Sequence, residues 1–173
     1  MRVLVDGVGS RELSDALVPG LQALGRAVVR VSGEDFLRPA GERYEWGRED
    51  APAFRDRWLD SGALRREVLD AALGGSVLPA LWDAARDRSA RAARVDVPAR
   101  GVVIVDGLFL LGLGLPAEVT VHVALTAAAL VRRGIADWQL DAFSSYDGEV
   151  RPGESCDVLV RAEDPLRPAA LFR

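Results

Sequence analysis

The run Gly101-Val102-Val103-Ile104-Val105-Asp106-Gly107 constrains the fold of this chain more than any other segment. Its four central residues are apolar without polar alternation, which suits a strand covered on both faces, as in a parallel sheet flanked by helices. The closing Asp-Gly pair supplies a turn. Two further runs read the same way: Arg2 to Asp6 ends at Gly7, and Ala27 to Val31 closes at Ser32-Gly33. Between them, Leu13, Ala16, Leu17, Leu21 and Leu24 mark one face of a helix from Ser10 to Leu24. Ser10 is placed to cap that helix and Pro19-Gly20 to kink it. The opening is therefore β-turn-α-β.

The stretch from Glu34 to Asp60 is polar, aromatic and proline-marked, and reads as an excursion from the sheet. A helix follows from Ala63 to Leu73, stopped by Gly74-Gly75, and then an irregular stretch from Leu78 to Pro98. Beyond the central run come a strand over Val119 to Leu125, a helix over Ala127 to Trp138 and a short strand from Asp157 to Val160. Strands alternating with helices predict an α/β fold with a three-layer, doubly wound parallel sheet, here as one domain over residues 1–173.

Composition removes several classes of function. The longest apolar stretch, Val102 to Leu115, is broken by Asp106 and glycines and falls short of the roughly 20 residues of a membrane span. Met1-Arg2 leads straight into Val3-Leu4-Val5 with no secretory pattern. Cys156 is the only cysteine, so no internal disulfide or multi-cysteine zinc site is expected, and a reducing cytoplasm fits. All 22 basic residues are arginines, because the chain has no lysine, and the formal charge is −4. A nucleic-acid module would show a clustered basic face. Here arginines alternate with acids, as in Arg55-Asp56-Arg57, in the manner of a solvated, mutually paired surface.

Ligands of open parallel sheets bind beyond the carboxyl ends of the strands. Those ends carry Asp6-Gly7-Val8-Gly9-Ser10, Ser32-Gly33-Glu34-Asp35 and Asp106-Gly107. Each alone is equally a turn. His122, inside a strand and without a second histidine, and Cys156 read as packed structural residues. Trp46, Trp58 and Trp82 fall in the irregular segments, where they either line a pocket or fix the excursion against the sheet.

Taken in order, Val5-Asp6-Gly7, Glu34-Asp35-Phe36-Leu37-Arg38, Val103-Ile104-Val105-Asp106-Gly107 and Asp157-Val158-Leu159-Val160 resemble the uridine kinase and phosphoribulokinase group of P-loop kinases. Short, lysine-poor actinobacterial proteins labelled uridine kinase are the nearest in pattern. The resemblance implies a P-loop, nucleoside-kinase-like fold, a nucleoside-like small-molecule ligand and, in active members, ATP with magnesium. A homodimer is left open. On this resemblance Glu34 stands for the Asp that takes the proton of the substrate hydroxyl, with Asp35 beside it as a substrate-binding residue. Asp50 stands for a ribose contact and Trp82-Asp83 for a Tyr-Asp pair at the substrate. Ala84 and Asp87 occupy the positions of the Phe and His that grip the base. Arg132 and Arg133 match paired lid arginines that reach the transferred phosphate, whereas Ala136 replaces a third. Asp106 corresponds to the acidic residue after the Walker B strand, a weak metal candidate.

The phosphate-binding loop departs most from the family pattern Gly-x-x-x-x-Gly-Lys-Ser/Thr. Gly7, Gly9, Ser10 and Arg11 hold its place, but the interval between glycines is about three residues short. Ser10 stands for the lysine, Arg11 for the magnesium-binding hydroxyl, and Glu12 adds negative charge at the helix start. Two functions follow as expectations. One is a catalytically silent binding or regulatory relative that has lost ATP. The other is an active phosphotransferase in which Arg11 replaces the lysine charge.

Overall fold

A computed structural model describes residues 1–164 and 168–173. The apolar runs form one six-stranded sheet from β1 (Arg2–Asp6), β2 (Val28–Ser32), β7 (Val102–Gly107), β8 (Val119–Ala124), β9 (Val158–Arg161) and β10 (Ala169–Phe172). Across the sheet the order is β10-β9-β8-β1-β7-β2. The first five strands in sequence are mutually parallel, as expected, with their carboxyl ends on one side. β10 runs antiparallel on β9 and was not anticipated. Its Ala-Ala-Leu-Phe sequence is short, and Leu171 and Phe172 are exposed, so no buried alternation announces it.

Residue parity along the strands explains the layers. Val3, Val5, Val102, Ile104, Val121, Val123 and Val160 project to one face, where Leu13 and Leu21 of α1 (Ser10–Ala23) cover them. Leu4, Val103, Val105 and Leu159 project to the other face, where the helical run from residue 61 and α6 (Asp137–Glu149) close the core. Each fully buried Val or Leu contributes about 1.5–3 kcal/mol. The central run is covered on both sides, which is why its sequence shows no alternation.

Several expected boundaries shift for local reasons. Ser10 is the first residue of α1 rather than its cap; the cap is Gly9, at φ 94°, without a side-chain hydrogen bond. The helix continues past Pro19, with Leu24 N–H reaching Gly20 O and Leu21 O. The expected helix Ala127 to Trp138 is two helices, α5 (Ala127–Arg132) and α6, because Gly134 takes φ 85° between them. The expected helix Ala63 to Leu73 starts earlier, as α4 (Ser61–Leu64) capped by Asp60. It continues through a π turn at Arg65–Asp70 and a 3-10 turn at Ala71–Gly74, and ends on Gly75 at φ 84°.

The segment expected to leave the sheet instead contributes to the core. It forms a 3-10 turn (Gly33–Phe36), α2 (Ala40–Arg43) and α3 (Ala51–Asp56), and buries Phe36 and Phe54. Phe54 meets Trp58, Phe109 and Trp138 edge to face at 4.9, 5.4 and 5.5 Å, an arrangement that the ring quadrupoles favour. Residues 76–96 form two small antiparallel ribbons, β3 (Ser76–Val77) with β6 (Val95–Asp96) and β4 (Trp82–Asp83) with β5 (Arg88–Ser89). A short helix, α7 (Pro152–Ser155), precedes β9. No helix among the described residues is long and apolar enough to cross a membrane.

Candidate functional site

A cavity of about 580 Å³ opens at the carboxyl ends of β1, β2 and β7. Its mouth is formed by Gly7 to Glu12, Ser32 to Glu34 and Asp106-Gly107, all three strand ends singled out in the sequence. Its apolar wall comes from the segment that folds back, through Leu37, Phe54, Trp58 and Leu59, and from Phe109 and Leu110. Ala84, Ala85, Ile135 and Gln139 complete it. Mostly apolar walls with a few convergent polar groups are typical of small-molecule sites.

The turn after β1 is held by one bond to β7 and one within itself. Gly7 N–H donates to Gly107 O at 2.9 Å and Ser10 N–H to Gly7 O at 3.1 Å. Ser10 is buried, with its hydroxyl 3.5 Å from Gly107 O. Gly7 has φ 102°, and a Cβ there would stand 2.6 Å from Val123 O, so only glycine fits between β1 and β8. Gly9 lies against the Arg133 guanidinium, whose Nη1 would be 2.7 Å from an added Cβ.

Ion pairs join several of the charged residues here. Arg11 and Glu34 meet at 3.8 Å across the mouth, both side chains well exposed, a contact worth about 0–1 kcal/mol. Glu34 is thus loosely held. Asp106 is nearly fully buried, and Arg30 Nε lies 2.9 Å from its Oδ2. Arg30 reaches Asp15 of α1 at 3.1 Å as well. Burial pushes the Asp106 carboxyl above the usual range, against the pull of Arg30. Asp35, half-buried behind Glu34, is also raised, first by burial and then by the Glu34 charge.

The remaining residues proposed from the sequence are not in the wall of this cavity. Asp50 caps α3, its Oδ1 accepting the Ala53 N–H at 2.7 Å. Trp82 Nε1 donates to Asp87 Oδ1 at 3.1 Å, and Asp83 is held by Arg86, which lowers its carboxyl. Arg132 ends α5 and faces Glu163 at 3.7 Å. Arg133 follows it and donates to Ala162 O at 3.1 Å, beside the Gly9 turn. No group of three or more His, Cys, Asp or Glu side chains that could hold a metal occurs among the described residues.

Of the three tryptophans weighed as pocket liners, Trp58 alone is in this wall; Arg30 and Arg55 are the residues at the site that sequence reasoning passed over. Arg55 lines the cavity and ties α3 to α6 through Glu149 at 2.9 Å. Arg30 did carry a signal, since an arginine flanked by valines in a strand that reads as buried requires an acidic partner.

No family model matches the sequence, and none of the curated proteins matches it. Solved structures do match in fold. A possible uridine kinase from Bacillus stearothermophilus superposes with a TM-score of 0.76 at 17% identity, over 92% of this chain and 87% of that one. A candidate fructose transport system kinase from Silicibacter sp. TM1040 gives 0.63 at 24% identity, over 91% and 80%. The YGR205w protein gives 0.60 at 11% identity, over 100% and 90%. The chain therefore has the mostly parallel sheet and flanking helices of these kinase-like structures.

Proposed function

We propose that this protein is a uridine-kinase-like binding module that holds a small, nucleoside-like molecule in the cavity at β1, β2 and β7 without using ATP. The observation that carries the reading is the short turn from Gly7 to Ser10, whose first amide is held by β7 and whose last is held by Gly7. A phosphate nest needs several backbone N–H groups turned outward to one point. Here the Gly7 and Ser10 amides are spent on Gly107 and Gly7 carbonyls.

Two further features support it. No lysine exists in the chain to meet a phosphate, and the acidic residue that would face magnesium is paired with Arg30. The residues present thus do not fit magnesium-ATP. Losing three or four charge-assisted contacts of about 1.5–3 kcal/mol each removes something on the order of 5 kcal/mol, or more than a thousandfold in affinity. Apolar Leu37, Phe54 and Trp58 would pack a planar ring, and Glu34 would accept a hydrogen bond from a ligand hydroxyl.

Calorimetry with magnesium-ATP and, separately, uridine tests the reading, on the wild type and on Arg11→Ala. The expected result is saturable heat with uridine and none with magnesium-ATP. Saturable magnesium-ATP binding by the wild type that Arg11→Ala abolishes would restore the phosphotransferase, with Glu34 as base and Arg132 and Arg133 on the moving phosphoryl group.

A further inference from the structure

Asp6 ends β1 with no exposed surface and accepts hydrogen bonds from three sides. Its Oδ1 takes the Leu110 N–H at 2.7 Å, and its Oδ2 takes the Tyr146 O–H at 3.0 Å. His122 Nδ1 lies 2.7 Å from the same Oδ2. A carboxylate oxygen only accepts, so Nδ1 donates to it, and Nε2 is the ring atom left for another partner. Tyr146 keeps its hydrogen because burial, and then the Asp6 charge, push the phenol far up; its oxygen accepts the Leu111 N–H at 3.0 Å. A polar cluster of this kind stabilises a core no better than an apolar filling of equal volume.

His122 and Tyr146 both face a second cavity, of about 510 Å³, between the carboxyl ends of β8 and β9 and the helices α6 and α7. It touches the first cavity only along Gly7, Val8 and Phe109. In the parallel ladder His122 pairs with Leu159 and Ala124 with Arg161. By alternation, Arg161 therefore projects from the same face as His122, on the next strand and two residues nearer the carboxyl end. Arg161 lines the cavity and has no ion pair or hydrogen-bonded side-chain partner among the described residues. The other arginine of the wall, Arg151, is within 3.9 Å of Glu154. Asp147, the acid on the α6 side, is pushed up, first by burial.

We propose that this second cavity binds a small organic anion that also carries a hydroxyl group, with Arg161 on the anionic end and Nε2 of the Asp6-held His122 on the hydroxyl. The ligand class follows from the two groups that the walls leave unused: a fixed cation, and an imidazole nitrogen whose tautomer is set by a buried carboxylate. It does not rest on the reading of the first cavity.

The chain contains a single histidine, so its ring gives one set of imidazole signals in a 1H–15N spectrum. Those signals are followed while sn-glycerol 3-phosphate, inorganic phosphate or glycerol is added to the full chain. The expected result is a saturable shift with glycerol 3-phosphate, weaker binding of phosphate and none of glycerol. Arg161→Gln, an exposed position, weakens glycerol 3-phosphate about tenfold, the loss of one charge-assisted contact. In His122→Asn, followed through backbone amides of the cavity wall, glycerol 3-phosphate binds no better than phosphate. No saturable shift, an unchanged affinity in Arg161→Gln, or equal affinity of the wild type for phosphate and glycerol 3-phosphate would each overturn the proposal.

Discussion

Replacing Arg30 by Met removes the guanidinium that faces Asp106 while keeping most of the apolar stem. The Asp106 side chain is only 3% exposed, so its carboxyl stays in the low-dielectric end of the sheet without a counter-charge. Breaking a buried pair from one side costs about 3–5 kcal/mol. Arg30 is itself 21% exposed, which places the loss near the lower end, about 3 kcal/mol at neutral pH. Its contact with Asp15, whose side chain is 59% exposed, adds little. For a chain of this length each kcal/mol moves the melting temperature about 2–4 °C, so a drop of about 6–12 °C is expected. The pH dependence has a definite sign. Burial already raises the folded pKa of Asp106 above its unfolded value, so its contribution to stability is complete below the unfolded pKa and is lost as pH rises through the folded one. Removing Arg30 raises that pKa further. The deficit of the variant is therefore largest at neutral pH and shrinks on acidification, and Arg30→Met/Asp106→Asn recovers most of it. Urea denaturation of the three proteins from pH 4 to 8 measures this. A single variant within about 0.5 kcal/mol of wild type at pH 7, or a deficit that does not shrink on acidification, refutes the reasoning.

Gly7→Ala is expected to destabilise the chain by more than about 2 kcal/mol, because it combines positive φ with a backbone oxygen 2.6 Å from the new Cβ. Gly9→Ala, whose Cβ meets only the flexible Arg133 guanidinium, costs about 1 kcal/mol, and chemical denaturation ranks the two. Asp50→Ala removes the α3 cap at a cost of about 1 kcal/mol in the same assay, and uridine affinity measured by calorimetry is expected to stay within about twofold, since Asp50 is not in the cavity wall.

How much of this was legible in the sequence depends on whether a signal is local. The strand ends were, because an apolar run followed by Asp-Gly or Ser-Gly reports both its burial and its turn within a few residues, and these ends form the mouth of the first cavity. The apolar wall was not. Phe54 and Trp58 lie in a segment whose prolines and charges look like loop, and although Trp58 read as either a pocket liner or an anchor, only the folded chain shows that the segment turns these rings back onto Phe109 and Trp138. The split between α5 and α6 turned on Gly134, which a helical reading tolerates and a left-handed φ forbids.

Asp6 and His122 are the harder case, 116 residues apart and joined only because β1 and β8 are neighbours in register. Each looked ordinary on its own terms, one as a turn former and the other as a histidine in a strand. A strand buried on both faces, however, hides a charged or titratable side chain only beside a partner, so Asp6, Arg30, Asp106 and His122 form two demands within one sheet. Strand order meets them in pairs: β2 beside β7 joins Arg30 to Asp106, and β8 beside β1 joins His122 to Asp6. The first pair gives Asp106, at the mouth of the first cavity, an internal cation. The second fixes an imidazole at the floor of a different cavity, so the chemistry of each depends on which neighbour the topology supplies.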